Sequence, residues 1–296
     1  MSRGDLDQVT RLGEKSPTFL GGIEVRVRNY VDRINKALAR ELDLYLESRF
    51  HDPLVYAVEG GKRIRPLILV LAAESLGCVD EKVLEVAVAV ELLHSESMIH
   101  DDIIDEDASR RGKMTFHVRY GYSASLLTAD FVFAMILAIA ARYKDRRVAE
   151  TISNAALKMA EGEFSELTID PKIYRLTWDE YVRIISEKTA TLFEASAKLG
   201  ALIAGGSEKE VEALTNYGKF LGIAYQLRDD LLDWGSVDKI IGGLLKNKDE
   251  TEVLSKLTKL SEMYVERAKK QLSALTESEA KTLLLELTDF SARRKY

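Results

Sequence analysis

The sequence predicts an all-α protein. Its 296 residues include only 4 prolines and 18 glycines, and these fall between long stretches rich in Ala, Leu, Glu and Lys, which favour helices. Apolar residues recur at helical spacing in most of those stretches. Because no Ser/Gly-rich linker and no short-period repeat divides the chain, we expect a single domain over residues 1–296.

The first half of the chain alternates helices with short polar loops. Between Ile23 and Phe50 apolar residues recur mostly one helical turn apart, with charged residues between them, which predicts an amphipathic helix. The basic segment GGKRIRP at 60–66 then leads into the apolar run LILVLAAESLG. The next predicted helix starts at Asp80 and carries the acids at 101–105.

Two apolar helices in the middle of the chain each contain a polar feature that needs a partner. The stretch from Tyr120 to Tyr143 is mostly apolar and contains one acid that looks buried, Asp130, which we expect to cap the helix or to pair with a neighbouring basic residue. The stretch 178–205 is rich in Ala and Ile and contains Lys188 and Thr189. Since burial disfavours a charged lysine, we expect this helix to break or kink where Lys188 faces a cavity, with a bound diphosphate as its partner.

The remaining elements follow the same helical pattern. Residues 148–168 and 214–234 are predicted helices, and residues 235–248 have the composition of a loop. Stretches 251–275 and 277–291 alternate apolar and charged residues as amphipathic helices do. The C-terminal part of the chain is therefore also helical.

Composition excludes several classes of function. The net charge of −6 argues against a nucleic-acid surface, and the single Cys78 excludes an intrachain disulfide and suits a reducing cytosol. The first 15 residues are polar with no targeting pattern, and Leu126–Ala141, the most apolar stretch, is interrupted by an acid and shorter than the ~20 residues of a membrane span. We expect a soluble, cytoplasmic protein without a transmembrane segment.

Two acidic arrays of identical spacing carry the strongest chemical signal. DDIID at 101–105 and DDLLD at 229–233 each follow an apolar helix, about half the chain apart. Residues i and i+4 share one helix face, so both carboxylates can reach one cavity, where Mg²⁺ is a suitable hard cation. A single array of this kind could be a solvated helix end, but its repetition favours two metal-binding sites.

Basic residues near the first array suggest a diphosphate site. Lys62 and Arg65 follow a glycine pair, and Arg110 and Arg111 follow the first array. Arg offers bidentate donors and Lys a compact charge, both suited to diphosphate. The alternative is a solvated basic loop. His94 lies seven residues before Asp101 and could be either a core residue or a donor to the same anion.

These groups together point to one kind of reaction. Two acidic arrays can hold several Mg²⁺ ions that bridge one diphosphate, while Lys62, Arg65 and Arg111 can hold a second. Metal ions and cations stabilise the charge that develops when diphosphate leaves carbon, and an apolar pocket protects the resulting carbocation from water.

Four motifs in the order GGKRIRP, DDIID with a following RRG, EKTATLF and GIAYQLRDDLLD closely resemble trans-isoprenyl diphosphate synthases of the polyprenyl synthetase family. The resemblance covers residues 54–234, with 235–296 as C-terminal helices. It implies a single-domain all-α bundle around a central active-site cavity, usually a homodimer. The implied reaction joins isopentenyl diphosphate to an allylic diphosphate, with Mg²⁺ and without a side-chain nucleophile. A transient membrane contact for product release also belongs to this expectation.

The resemblance also implies roles for individual residues. Metal ligands would be Asp101, Asp105, Asp229 and Asp233, with Asp102 and Asp230 supporting them, and the catalytic set would comprise Asp101, Asp102, Asp105, Lys188, Asp229 and Asp230. Isopentenyl diphosphate would contact Lys62, Arg65, His94 and Arg111, and the allylic diphosphate would contact Arg110, Lys188, Thr189 and Gln226.

The chain departs from the family pattern at a few places. Glu163 stands where Gln is usual, and the segment after the second array is shorter, so the lysine that closes the site could be any of Lys239, Lys246 and Lys248. Product length depends in this family on residues about one turn before the first acid. Here these are Glu96 and Ser97, with no aromatic plug, which favours a geranylgeranyl or longer product.

Two other functions stay open from sequence. A class I terpene cyclase also ionises a diphosphate with metal-bound acids, but it has no second substrate and needs no site at Lys62 and Arg65. A non-catalytic regulatory subunit of a prenyl synthase heteromer would tend to lose acids from one array, whereas both arrays are intact here.

Overall fold

The computed structural model describes residues 23–110, 112–170, 176–234 and 248–293, and the prediction of an all-α protein is confirmed for them. The helices are, in order, α1 (Glu24–Asp43), α2 (His51–Val58), α3 (Ile64–Ser75), α4 (Glu81–Ile104), α5 (Phe116–Tyr120), α6 (Tyr122–Ala140), α7 (Arg146–Leu167), α8 (Trp178–Ile185), α9 (Thr191–Ile203), α10 (Glu208–Leu232), α11 (Glu250–Gln271) and α12 (Glu279–Arg293). A 3₁₀ turn, Leu272–Ala274, follows α11.

A small hairpin after the first acidic array was not predicted. Strands β1 (Ser109–Arg110) and β2 (Lys113–Met114) pair antiparallel. Two-residue strands are too short to show the alternation by which a sequence reveals a strand.

The expected break at Lys188 is confirmed as a π-helix, Ser186–Ala190, between α8 and α9. The amide of Thr191 donates to the carbonyl of Ser186, which is the i+5 bond of a wider turn. Such single-turn π segments often mark functional sites. Capping boxes begin α8 at Thr177 and α10 at Ser207, because each hydroxyl accepts a bond from the residue three positions on.

The chain forms two compact units, with boundaries inside α3 and α7. The first unit contains the described residues of 1–70 and 80–149, and the second those of 71–79 and 150–296. The expectation of one domain stays a prediction.

Helix α4 is the centre of the first unit. It packs against α1, α2, α5 and α6, and ten of its apolar side chains are buried: Val83, Leu84, Val86, Ala87, Val88, Ala89, Val90, Leu92, Leu93 and Ile99. Asp80 caps its N-terminus by accepting from the amide of Lys82. This packing holds α4 in place and so positions the acids at its C-terminal end.

Helix α10 has the same central place in the second unit. It packs against α8, the π-helix, α9, α11 and α12. Gly222 permits one of these approaches, since a Cβ there would lie 2.6 Å from the Cα of Ala190. The residues of α10 that precede the second acidic array, including Ile223, Ala224 and Leu227, are buried.

Helix α6 differs from its prediction in two respects. Asp130 is exposed rather than buried, because it lies on a solvent-facing stripe of the helix. The helix is also longer than the stretch 126–141, which we judged too short for a membrane span. It has 19 residues and, by length and composition alone, is apolar enough to cross a bilayer. It is the one such helix among the described residues, and 44% of its apolar window is buried.

Candidate active site

Each acidic array lies at the C-terminal end of a central helix. Asp105 is the C-cap of α4, where its amide donates to the carbonyl of Asp101 at 2.8 Å. Asp233 is the C-cap of α10, where its amide donates to the carbonyl of Asp229 at 2.9 Å. The carboxylates of each array are thus one helical turn apart, as predicted.

Their position makes cation binding favourable. The C-terminus of a helix carries the negative end of its dipole, which favours cations and disfavours carboxylates. Neither α4 nor α10 has a basic residue in its last turn. A cation bound at either array would therefore offset both the carboxylate charge and the dipole.

The donor chemistry of the arrays fits a hard divalent cation. Within the described ranges, no three side chains of His, Cys, Asp or Glu come together closely enough to hold a metal ion by themselves. Mg²⁺ in enzymes is typically held by one or two carboxylates and completed by waters and substrate phosphates. Two carboxylates a turn apart match that requirement better than a closed protein cage does.

Asp102 differs from Asp101 and Asp105, the other acids of the first array, in its burial. It is buried, and Arg110 Nε donates to its Oδ1 at 2.6 Å. Burial raises the pKa of Asp102, while Arg110 opposes that shift. Arg110 also bonds Asp107 at 3.3 Å. Arg110, which the resemblance assigns to the allylic diphosphate, is thus engaged with two carboxylates here.

A cavity of about 710 Å³ in the first unit collects several of the predicted residues. Lys62, His94 and Asp102 line it together with apolar Met98 and Phe116. Charged groups beside apolar walls suit a ligand with a charged head and an apolar tail. Arg65, on α3, is not among its lining residues, and Arg111 lies outside the described residues.

Arg63 is a component that sequence reasoning missed. It is buried with a left-handed backbone, φ 53°. Its guanidinium donates to Asn35 at 2.9 Å, to the carbonyl of Val58 at 2.7 Å and to buried Glu91. A Cβ at Gly61 would lie 2.7 Å from this guanidinium. The glycine pair therefore allows the turn to close over Arg63, and this anchors neighbouring Lys62.

In the second unit a chain of hydrogen bonds joins two predicted ligands to the second array. Thr189 Oγ1 donates to Gln226 Oε1 at 2.9 Å, and Gln226 Nε2 donates to Asp230 Oδ1 at 2.8 Å. Tyr181, fully buried on α8, donates its hydroxyl to the other oxygen of Asp230. Burial, and then Asp230, raise the pKa of Tyr181 well above its usual value.

Tyr181 was not predicted, because nothing in its local sequence distinguishes it from a core aromatic residue. Asp230 thus accepts hydrogen bonds from two neutral donors, Gln226 and Tyr181. The two outer acids, Asp229 and Asp233, occupy the last turn of α10.

Lys188 has protein partners where sequence reasoning expected a bound diphosphate. Its Nζ donates to Glu166 Oε2 at 2.6 Å and lies 2.7 Å from Glu163 Oε2. Burial alone would lower the pKa of Lys188, but the two carboxylates raise it above its usual value. The expectation that Lys188 needs a partner is confirmed, with Glu163 and Glu166 in that place.

The two product-length candidates lie on α4 but not on the cavity wall. Glu96 is mostly buried, with His100 Nδ1 3.2 Å from its carboxylate. Burial raises the pKa of Glu96, His100 opposes this, and Asp101 and Asp130 add to it. Ser97 donates to the carbonyl of His94 at 2.9 Å.

Of the three lysines proposed to close the site, only Lys248 lies in the described part of the chain. Its Nζ donates to the carbonyl of Leu176 at 3.2 Å and lies 5.5 Å from the ring centre of Trp178. Lys239 and Lys246 fall outside the described residues.

Comparison with known proteins agrees with the fold and the motifs. The family model of polyprenyl synthetases matches residues 47–282. The geranylgeranyl diphosphate synthase of Methanosarcina mazei is 32% identical over 88% of this chain and 92% of its own length.

Two solved structures share the fold over nearly their whole length. A decaprenyl diphosphate synthase from Rhodobacter capsulatus has a TM-score of 0.81 and 26% identity, covering 92% of this chain and 98% of that one. A polyprenyl synthase from Caulobacter crescentus, complexed with calcium and isoprenyl diphosphate, has a TM-score of 0.77 and 27% identity, covering 98% of both chains. This chain belongs to the polyprenyl synthetase family.

Proposed function

We propose that this chain is a trans-prenyltransferase that condenses isopentenyl diphosphate with an allylic diphosphate to an elongated all-trans polyprenyl diphosphate. The observation that carries the proposal is the pair of acidic arrays, each at the negative end of a buried central helix. The cavity that combines Lys62 and His94 with apolar walls supports it. So does the synthase activity named for the relative from Methanosarcina mazei.

The divalent cation that we propose is Mg²⁺, with several ions per site. Asp101 and Asp105 would hold it at the first array, and Asp229 and Asp233 at the second. When bound, the metal neutralises negative charge on diphosphate and so favours its departure. Asp102 and Asp230 would support the ligands from behind, as their bonds to Arg110 and Tyr181 allow.

The protein's own residues bind and orient the two substrates. For isopentenyl diphosphate we propose Lys62, Arg65, His94 and Arg111. For the allylic diphosphate we propose Arg110, Lys188, Thr189 and Gln226. Cationic and polar donors of this kind stabilise the charge that a departing diphosphate develops.

The reaction needs no side-chain nucleophile. The allylic C–O bond breaks, and diphosphate leaves with the electron pair. The double bond of isopentenyl diphosphate then attacks the carbocation to form the new C–C bond. The resulting cation loses a proton, which the released diphosphate accepts. Apolar side chains around the carbocation would exclude water and so prevent hydrolysis.

We propose a geranylgeranyl or longer product, because neither Glu96 nor Ser97 is an aromatic plug on α4. This chain resembles one relative named as a geranylgeranyl diphosphate synthase and another named as a decaprenyl diphosphate synthase. Chain length is therefore the property that product analysis must measure first.

The decisive experiment incubates the purified protein and MgCl₂ with isopentenyl diphosphate and an allylic primer, and separates the products by length. We expect elongated prenyl diphosphates, loss of turnover with EDTA, and a rate lower by about 10²–10³-fold for Asp101→Ala. A hydrocarbon formed from the primer alone would indicate a terpene cyclase. No turnover with any primer would indicate a regulatory subunit, and full activity of Asp101→Ala would contradict the site.

We also propose that the chain acts as one polyprenyl synthetase domain in a cytoplasmic homodimer, with transient membrane contact when the apolar product leaves. An exposed apolar stripe on α6 supports the dimer: Tyr122, Leu126, Leu127 and Leu137 are each 55–57% exposed. Asp130 interrupts this stripe, but exposed apolar side chains grouped on one helix face typically mark an interface.

A further inference from the structure

The site around Lys188 has an excess of negative charge. One ammonium group lies within 2.7 Å of the carboxylates of both Glu163 and Glu166. One carboxylate would neutralise it, so the group of three carries a net charge of −1. Diphosphate is itself strongly anionic, and Glu163 therefore opposes the ligand that Lys188 is proposed to bind.

The backbone holds this group tightly together. Gly162 of α7 lies directly against the backbone of Lys188, and any Cβ at that position would overlap with it. The π-helix places Lys188 at this contact. With the two backbones touching, Glu163 and Glu166, which lie one helical turn apart on α7, both reach the same ammonium group.

The three side chains are partly shielded from solvent, so their charges interact strongly with one another and with a bound anion. The side chains of Lys188, Glu163 and Glu166 are 27%, 15% and 16% exposed. Charges in such surroundings interact much more strongly than in bulk water, and salt screens them less. A carboxylate about 6 Å from a bound phosphate oxygen is worth on the order of a tenfold change in affinity.

We propose that Glu163 lowers the affinity of the Lys188 site for diphosphate. Lys188 donates one of its three N–H groups to Glu166 and forms an ion pair with Glu163, so a further N–H group can contact diphosphate without breaking the group. Glu163 then reduces the net attraction at that contact. Weaker retention favours release of inorganic diphosphate after each condensation and so limits inhibition by this by-product. The inference rests on the proposed function, in which Lys188 contacts the allylic diphosphate.

The test is binding of inorganic diphosphate in MgCl₂, measured by isothermal titration calorimetry. For Glu163→Gln, which keeps the shape and the Glu166 pair, we expect the dissociation constant to fall about tenfold. The inhibition constant of diphosphate should fall by the same factor, and high salt should reduce the difference. Glu163→Ala removes the same charge and is expected to act in the same direction.

Glu194→Gln is the matched control. Glu194 is a partly buried carboxylate of the same unit, 3.8 Å from Lys158, and it makes no ion pair with Lys188. Its substitution changes the net charge equally, so we expect a change below twofold. An equal tightening in Glu194→Gln would mean that overall charge, not the Lys188 site, sets the affinity, and would overturn the inference.

The double variant Glu163→Gln/Lys188→Gln separates this inference from the proposed function. It keeps the wild-type net charge but has no ammonium group. Binding weaker than that of Glu163→Gln supports the contact at Lys188, and binding equal to that of Glu163→Gln refutes that contact. If the double variant binds weakly while Glu163→Gln binds no more tightly than wild type, the contact stands and the role of Glu163 is overturned.

Discussion

At the scale of single residues, Arg63 and Glu91 show what a buried ion pair requires. Their side chains are 1% and 4% exposed, and Asn35 and the carbonyl of Val58 accept hydrogen bonds from the other two nitrogens of the guanidinium. Removing one partner of such a pair leaves an uncompensated charge inside the protein. The pair fixes the turn that precedes α3, from which Lys62 projects.

We expect Glu91→Ala to lower the free energy of unfolding by about 3–5 kcal/mol, measured by urea denaturation. The control is Glu81→Ala, whose partner Arg40 lies 3.0 Å away at an exposed site. Exposed pairs contribute about 0–1 kcal/mol, so this variant should be nearly neutral. Equal effects of the two substitutions would contradict the structural role of Arg63.

Tyr181 should tune metal binding at the second array. Without its hydroxyl Asp230 loses a donor, and loss of a supporting bond behind a metal site typically costs 10–100-fold in metal affinity or activity. For Tyr181→Phe we expect the half-saturating Mg²⁺ concentration, followed by calorimetry with diphosphate present, to rise by about tenfold or more.

Tyr217→Phe is the control for Tyr181→Phe. Tyr217 is an equally buried tyrosine of the same unit whose hydroxyl donates to the carbonyl of Leu284 at 2.9 Å, away from the acids. It should lose stability without a change in Mg²⁺ dependence. A similar Mg²⁺ shift in both variants would mean that Tyr181 acts only through packing.

Ser97 allows a test of product length. A phenyl ring one turn before Asp101 would add bulk on α4, and we expect Ser97→Phe to shift the product distribution to shorter chains. Ser97→Ala removes the hydroxyl without adding bulk and should leave the distribution unchanged. If Ser97→Phe makes products of wild-type length, the growing chain passes elsewhere.

At the scale of elements, close contact between α10 and the π-helix depends on Gly222. In an unconstrained helix, glycine to alanine would stabilise by about 1 kcal/mol. Here the new Cβ would lie 2.6 Å from the Cα of Ala190, so the backbone itself must move.

We therefore expect Gly222→Ala to destabilise the protein by about 1–3 kcal/mol, measured by urea denaturation. Lys219→Ala, an exposed change on the same helix, should stay within about 0.5 kcal/mol of wild type. A more stable Gly222→Ala variant would show that the contact is loose.

Most elements could be predicted from sequence because apolar periodicity reports directly on burial. The pattern also drew attention to Lys188, because a charged residue within an apolar helix needs a polar partner. It could not reveal the β1–β2 hairpin, which is too short, or the exposure of Asp130, because an apolar helix with one exposed stripe resembles a fully buried one.

The candidate site residues that could be named from sequence are those that belong to recognisable motifs. The acids, Thr189 and Gln226 form motifs. Partners distant in the chain do not: Arg63 lies 28 residues from both Asn35 and Glu91, and Tyr181 lies 49 residues from Asp230. Which basic residue of a motif turns inward depends on those contacts.

At the scale of the whole molecule, the apolar stripe of α6 predicts self-association. Introducing charge at Leu126 and Leu137, each 55% exposed, should disrupt a dimer interface while leaving the buried face intact. In sedimentation velocity we expect wild type to sediment as a dimer and Leu126→Glu/Leu137→Glu as a monomer. Leu46→Glu, at a 58% exposed site on another segment, is the control. A wild-type monomer would contradict the proposal.

The acidic ends of α4 and α10 have a consequence for the lifetime of the protein in the cell. Carboxylates at the negative end of a dipole weaken the helices that carry them, so ligands that neutralise the charge stabilise the folded state by mass action. Proteases degrade the fraction that opens, and small changes in stability alter abundance several-fold. Substrate supply would then regulate how much of the enzyme persists, in addition to how fast it works.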